Sequence, residues 1–148
     1  MSIFPSWPEW FRRVLGFFRR RVRVVLIVNR RAYELHPNRK LHLMFTVNVG
    51  HELDCSIGYL DTNGNPMLVM PTPDAPPVWT NAPAPAGATM LTVAPGGLEA
   101  VDKAVAAGTD TLNLTLSVGG VPYSASASVA ITAAPQQLGS IVINAVVN

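Results

Sequence analysis

A mainly β chain, folded as a two-sheet sandwich behind a basic, aromatic N-terminal arm, is what three features of this 148-residue sequence predict. From Leu41 onward, apolar and polar residues alternate in short runs, the period of half-buried strands. Gly, Pro and Asn-Gly punctuate those runs at regular intervals, as turns do. Only a stretch near the N-terminus has apolar residues spaced by three and four, the signature of an amphipathic helix.

Ser6-Trp7-Pro8-Glu9 reads as a helix start, with Ser6 as N-cap, Pro8 in the first turn and Glu9 near the positive end of the dipole. The helix is expected over about residues 8–21. Trp7, Trp10, Phe11, Val14, Leu15, Phe17 and Phe18 form one face, while Arg12, Arg13, Arg19 and Arg20 take much of the rest. β-Branched residues then take over in Val22–Val28, and Asn29-Arg30 is a turn candidate before Ala32–Leu35. This pair of segments fits strands added to the chain's own sandwich or to a neighbour's equally well. His36-Pro37-Asn38 breaks the chain, which sets the expected division: residues 1–40 as an arm, helical and then extended, and residues 41–148 as the sandwich.

Within the sandwich, Leu41, Leu43, Phe45 and Val47 share one face, and beyond Gly50 so do Leu53, Cys55, Ile57 and Tyr59, which reads as two antiparallel strands. Asp61–Pro66 is a tight loop around Asn63-Gly64. Met67–Met70 is a short strand candidate, and Pro71, Pro73, Pro76 and Pro77 make the following residues an irregular edge or loop. Strands are expected at Val78–Thr80 and Thr89–Ala94, with a small helix or turn from Leu98 to Val105 after Gly96-Gly97. Thr111–Val118, Tyr123–Ile131 and Ser140–Val147 close the chain, the first two joined at Gly119-Gly120, and Ser124, Ser126 and Ser128 give the second a flat polar side. About seven short strands with a Trp on a central one are the pattern of an immunoglobulin-like sandwich.

The stretch from about Leu41 to Ala133 resembles the bacterial immunoglobulin-like (Big) domains of bacterial surface proteins and tailed-bacteriophage virion proteins. The resemblance lies in Asp61-Thr62-Asn63-Gly64-Asn65-Pro66 after a strand, Val78-Trp79-Thr80, Leu91-Thr92-Val93, Gly97-Leu98-Glu99-Ala100, Ala107-Gly108-Thr109 and the strand Tyr123–Ile131, in that order. It implies a structural, adhesive or decorating module without catalytic residues. The first 40 residues and the last strand have no counterpart in it, and the tandem array usual for such modules is missing.

The net charge of +2 conceals an asymmetry. Residues 1–40 hold ten Arg or Lys and two Glu, a formal +8, whereas residues 41–148 hold one Lys and seven acids, a formal −6. Such a division points to an arm that meets an acidic partner or packs on a neighbouring subunit. The best apolar run, Val22–Val28, is strand-sized and contains Arg23, far from the ~20 apolar residues of a membrane span. The arginines also interrupt any secretory signal pattern. That places the expected location in a virion if the chain is phage-encoded, and otherwise in the cytoplasm or at the membrane periphery.

Chemistry-bearing constellations are sparse. Cys55 is the single cysteine and falls at an apolar-phase position, which excludes an intrachain disulfide and favours a small buried hydrophobe over a reactive thiol. His36, His42 and His51 are too widely spaced to form a local metal-ligand pair, and Asp61, Asn63 and Asn65 begin like a calcium loop but meet Thr72 where its Glu belongs. No Gly-x-Ser-x-Gly elbow, acid/base carboxylate pair or phosphate-cradling glycine motif is present. No metal, no cofactor and no enzymatic activity are therefore expected.

The arm remains as the candidate binding element: Trp7, Trp10, Phe11, Arg12, Arg13, Phe17, Phe18, Arg19, Arg20, Arg21 and Arg23. Arginine forms bidentate contacts with carboxylates and phosphates, and the aromatic rings bring large buried area. Another protein subunit is the first-ranked partner, an anionic membrane the second and nucleic acid the third; the bland reading is a helix covering an open end of its own sandwich. The leading expectation is a non-enzymatic bacteriophage virion component (head decoration, neck or tail) that contacts other virion subunits and forms homo-oligomers. Its alternative is a membrane-associated or cell-surface adhesion module whose loops bind a carbohydrate or protein receptor.

Overall fold

The computed structural model describes residues 22–67 and 69–136; the expected helix over residues 8–21 and the expected strand Ser140–Val147 lie outside them. Among the described residues, alternation becomes nine strands: β1 (Arg23–Val28), β2 (Arg31–Leu35), β3 (Lys40–Asn48), β4 (Glu52–Leu60), β5 (Val78–Asn81), β6 (Thr89–Val93), β7 (Glu99–Ala104), β8 (Gly108–Val118) and β9 (Val121–Thr132). They form a five-stranded sheet ordered β2-β1-β4-β7-β6 and a four-stranded sheet ordered β3-β9-β8-β5.

That order identifies the sandwich as immunoglobulin-like. With β1, β4, β5, β6, β7, β8 and β9 as strands A to G, one sheet carries A-B-E-D and the other C-F-G. β2 extends the first sheet at its A edge, and β3 runs parallel to β9 at the edge of the second. Trp79 is then the buried tryptophan of strand C, and Cys55 lies on strand B. Cys55 Sγ reaches the Leu53 carbonyl at 3.9 Å, and burial pushes the thiol up to about 12, with Asp102 and Asp54 adding to the shift. The thiol is therefore an unreactive core group.

Four expectations change. Leu41–Val47 and Leu53–Tyr59 do not form a hairpin: β3 pairs with β9 in parallel, and β4 pairs with β1 and β7 in the other sheet. Alternation fixed which face each strand buries but not its partner. The intervening residues cross between layers, Val49 N–H donating to Thr132 O at 2.9 Å and Gly50 N–H to Ala104 O at 2.9 Å. Secondly, Val22–Leu35 belongs to the chain's own sandwich, because β1 pairs with β4 from Arg23↔Leu60 to Val28↔Cys55. The boundary at residue 40 thus moves to the start of β1.

Thirdly, the segment from Leu98 to Val105 is a strand where a helix or turn was expected, since Ala100, Asp102 and Ala104 point inward in alternation and β4 and β6 pair with it on both sides. Lastly, Met67, Val69 and Met70 are in no strand; after the loop only Pro66 makes a bridge, to Leu60. Prolines at 66 and 71 limit ladder donors on either side.

The two sheets close on one core that includes Val24, Leu26, Leu53, Ile57, Trp79, Leu112, Leu114 and Ile131. Tyr33 of the first sheet meets Phe45 of the second edge-on, ring centroids 6.1 Å apart. The void bounded by Leu26, Phe45, Leu53, Trp79 and Leu114 measures about 10 Å³, space for roughly one water and no ligand. Tight turns complete the frame. Asn29 and Arg30 (φ 47° and 69°) join β1 to β2, and Gly119 and Gly120 (φ 59° and 77°) join β8 to β9, both with the left-handed pairs that two-residue hairpins use.

Gly97 is required for two reasons at once. Its φ is +76°, and a Cβ there would stand 2.6 Å from the Pro77 carbonyl oxygen. Gly97→Ala is expected to destabilise the sandwich by about 2–4 kcal/mol, from the left-handed conformation and the overpacking together; urea denaturation measures it.

Candidate interaction surfaces

With the interior filled, recognition falls to the surface, and the two outer sheet faces differ in chemistry. On the four-stranded sheet, the outward positions run in rows: Lys40, Ser124, Thr115 and Val78; His42, Ser126, Asn113 and Thr80; Met44, Ser128 and Thr111. Short hydroxyl and amide side chains dominate, and no acid is among them. Met44 stands out at 88% exposure. This is the flat polar face that the alternating serines predict.

The outer face of the five-stranded sheet is charged and partly apolar, its acids Glu52, Asp54 and Glu99 standing with Lys103, opposite Glu52, and Arg30. β4 turns Glu52 and Asp54 outward because Leu53 and Cys55 are buried between and beside them, and β7 turns Glu99 and Val101 outward in the same way. Pairing sets Asp54 beside Val101, and Ser56 between Ile27 and Glu99. Ile27, Arg30, Asp54, Ser56, Glu99 and Val101 line one shallow groove there. Gly58 contributes by its lack of a side chain, since Ile27 Cδ1 and Val25 Cγ2 lie 3.2 Å from where its Cβ would be.

Of the eleven arm residues singled out from sequence, Arg23 is described, and it is not in an arm. It lies in β1, where its Nε and Nη2 donate to Glu34 Oε1 and Oε2 of β2 at 3.0 and 2.6 Å. The Arg23 guanidinium holds the Glu34 carboxyl below its ordinary range, chiefly through these hydrogen bonds. Glu34 thus adds stability that is present above its ordinary pKa and lost as pH falls through the lowered one. Because the pair is half-exposed, Glu34→Gln is expected to change the melting temperature little, and the change should fade with added salt. Trp7, Trp10, Phe11, Arg12, Arg13, Phe17, Phe18, Arg19, Arg20 and Arg21 lie outside the described residues.

The loop at residues 61–65 is a turn whose carboxylate is already engaged: Asp61 Oδ1 accepts the N–H groups of Asn63 and Asn65 at 2.8 and 2.9 Å. Asp74 likewise ties the proline-rich loop to the β8–β9 turn, accepting from Gly119 and Gly120 N–H at 3.0 and 2.8 Å. Among the described residues, no three His, Cys, Asp or Glu side chains cluster as a metal site would need, and no helix is long and apolar enough to cross a membrane.

One buried polar cluster escaped the sequence reading. Asp102 of β7 and Asp110 of β8 are 3% and 2% exposed, and they come from opposite sheets. Asp110 Oδ1 accepts Ala82 N–H and Thr111 N–H at 2.9 and 2.7 Å, and its Oδ2 accepts the Thr89 hydroxyl at 2.7 Å. The Thr89 oxygen in turn accepts from Asn81 Nδ2 at 3.0 Å. Asp102 Oδ1 has no partner. Burial, and then the Asp110 carboxylate beside it, push the Asp102 carboxyl up to about 7, so Asp102 keeps a proton where surface carboxylates have lost theirs. The signal was legible in principle: both acids sit in phase with buried alanines or leucines.

No family model matches the chain, and no curated protein matches it. Among solved structures, it is similar to domains 4 and 5 of the S-layer protein SbsC, at 12% identity and a TM-score of 0.33, over 71% of this chain and 53% of that one. It is also similar to a titin M10–obscurin-like 1 Ig complex, at 13% identity and a TM-score of 0.34, over 76% of this chain and 99% of that one. The chain thus spans about half of the S-layer fragment. The immunoglobulin-like assignment rests on the strand order.

Proposed function

We propose that this immunoglobulin-like module is a non-enzymatic structural protein held in an assembly by its N-terminal segment, as a bacteriophage virion component of the head decoration, neck or tail. The observation that carries this reading is the segregation of aromatic and basic residues. Six of the eight Phe and Trp residues (Phe4, Trp7, Trp10, Phe11, Phe17 and Phe18) and five arginines fall within residues 1–21. The sandwich beyond them already has a filled interior. Large rings beside arginines are the composition of protein-interface hot spots, and the resemblance of Leu41–Ala133 to Big domains supports a displayed module.

The test is the protein content of particles purified from the source phage or prophage, probed with an antibody against the sandwich. Particles carrying the chain in a fixed ratio to the capsid protein support the reading; particles without it sink it. A membrane-associated or cell-surface adhesion module is the second reading, favoured by the same rings and arginines, which also suit an anionic lipid interface, and by the hydroxyl-rich outer face, which suits carbohydrate. Flotation with anionic liposomes, lost when Trp7, Trp10, Phe11 and Phe18 become Ser, supports that reading over the first.

A further inference from the structure

We propose that the outer face of the five-stranded sheet, around Ile27, Asp54, Glu99 and Val101, is the seat for the N-terminal segment of a second copy of this chain. The inference rests on the docking role proposed for that segment, and it names the receiving surface and the partner.

Three observations converge on this face. The first is charge. Asp54 and Glu99 are exposed and flank the groove, and the ion pair found among the described residues involves neither of them. Residues 1–21 carry five arginines against Glu9. With Arg23 and Glu34 paired to each other, this face holds Glu52, Asp54 and Glu99 against Arg30 in the groove and Lys103 opposite Glu52, whereas the opposite sheet displays Lys40 and His42 and no acid, so the first side is the one that favours an arginine-rich segment. The second is apolar surface: Ile27 of β1 and Val101 of β7, both half-buried, lie on either side of Asp54 and Ser56 of β4 and match rings interleaved with arginines. Acids interleaved with apolar side chains are what a segment reading Trp-Phe-Arg-Arg and Phe-Phe-Arg-Arg requires.

The third observation decides whose segment it is. β1 begins at Arg23 and runs toward Ile27 and Arg30 in the groove, so a copy's own segment enters the sheet at the end away from the groove and would have to fold back along β1 to reach it. Delivery to a second copy needs no reversal. Mutual exchange between two copies uses the same patch twice and closes as a dimer.

The experiment compares the full chain with two full-length variants by light scattering across protein concentrations, with circular dichroism confirming that each is folded. Asp54→Lys with Glu99→Lys alters exposed positions of the seat; Trp10→Ser with Phe11→Ser and Phe18→Ser alters the segment. The native chain is expected to associate, and either variant alone to associate at least about a hundredfold more weakly. Mixed together, the two variants should form a 1:1 complex, because one intact segment then meets one intact seat. A native chain that stays monomeric at every concentration overturns the proposal, as does a mixture that stays monomeric. If the segment variant dissociates while the Asp54/Glu99 variant keeps its mass, this seat is wrong and the docking role of the segment stands. If neither variant changes the mass, that role fails as well.

Discussion

The stability of the native protein is expected to fall as pH rises from about 4 to about 8, and Asp102→Asn is expected to remove most of that fall. In the folded chain the Asp102 carboxyl is held at about 7, against an ordinary 3.8. Between those values the folded state holds a proton that the unfolded state has released, so each rise in pH favours unfolding. Below the lower value both states are protonated and above the upper one neither is, so the dependence is confined to that window. At about 1.4 kcal/mol per pH unit, the full effect is on the order of 4 kcal/mol. Asn has the same shape, carries no charge, and presents an N–H₂ to the Asp110 carboxylate. The variant should therefore exceed the native chain in stability at pH 8 by about 2 kcal/mol or more and roughly match it at pH 4.

Asp110 contributes through its hydrogen bonds. Its oxygens accept two backbone N–H groups and the Thr89 hydroxyl, so Asp110→Ala takes a partner from the Thr111 N–H and the Thr89 hydroxyl and leaves Ala82 N–H only its bond to Thr111 O; it is expected to cost about 2–4 kcal/mol. Urea denaturation at pH 4 and pH 8 reads both variants. A pH slope that survives Asp102→Asn unchanged would assign the effect to some other group.

Trp79→Ala is the second large effect, expected at about 3–5 kcal/mol. The ring is 7% exposed on strand β5 and packs where Leu26, Leu53, Leu112 and Leu114 meet from both sheets. Its indole Nε1 donates to Gly97 O at 2.7 Å, a buried bond. Trp79→Phe separates the two contributions, because it keeps most of the ring volume and loses the donor, leaving the Gly97 carbonyl unpaired; about 1–2 kcal/mol is expected for it. Unfolding followed by circular dichroism distinguishes the series, since Trp7 and Trp10 would confuse a fluorescence signal.

These residues also show what the sequence could and could not convey. The buried faces of β3, β4, β8 and β9 were readable because a period of two leaves no choice of which residues point inward. Partnership was not readable. Leu41–Val47 and Leu53–Tyr59 look like a hairpin, yet they lie in different sheets, and nothing local distinguishes a turn within a sheet from a corner between sheets. Leu98–Val105 was missed for a related reason: Gly96-Gly97 and the small residues Ala100 and Ala104 are weak β-formers, and two-sided pairing with β4 and β6 overrides that. Arg23 was grouped with the arginines before it by composition, whereas its pairing with Glu34 depends on a hairpin register that composition does not carry. The acidic seat around Asp54 and Glu99 joins residues 45 positions apart in the chain, visible only once β4 and β7 are adjacent.

The central claim is that a self-sufficient sandwich is joined to its partners by the residues before β1. It is tested most directly by the solution mass of the full chain beside a chain starting at Val22, since a start further along would remove β1 and β2 from the sheet. The account predicts that the full chain associates with rising concentration, and that the shorter one is a folded monomer whose melting temperature does not depend on its concentration. A shorter chain that associates as the full one does would contradict it.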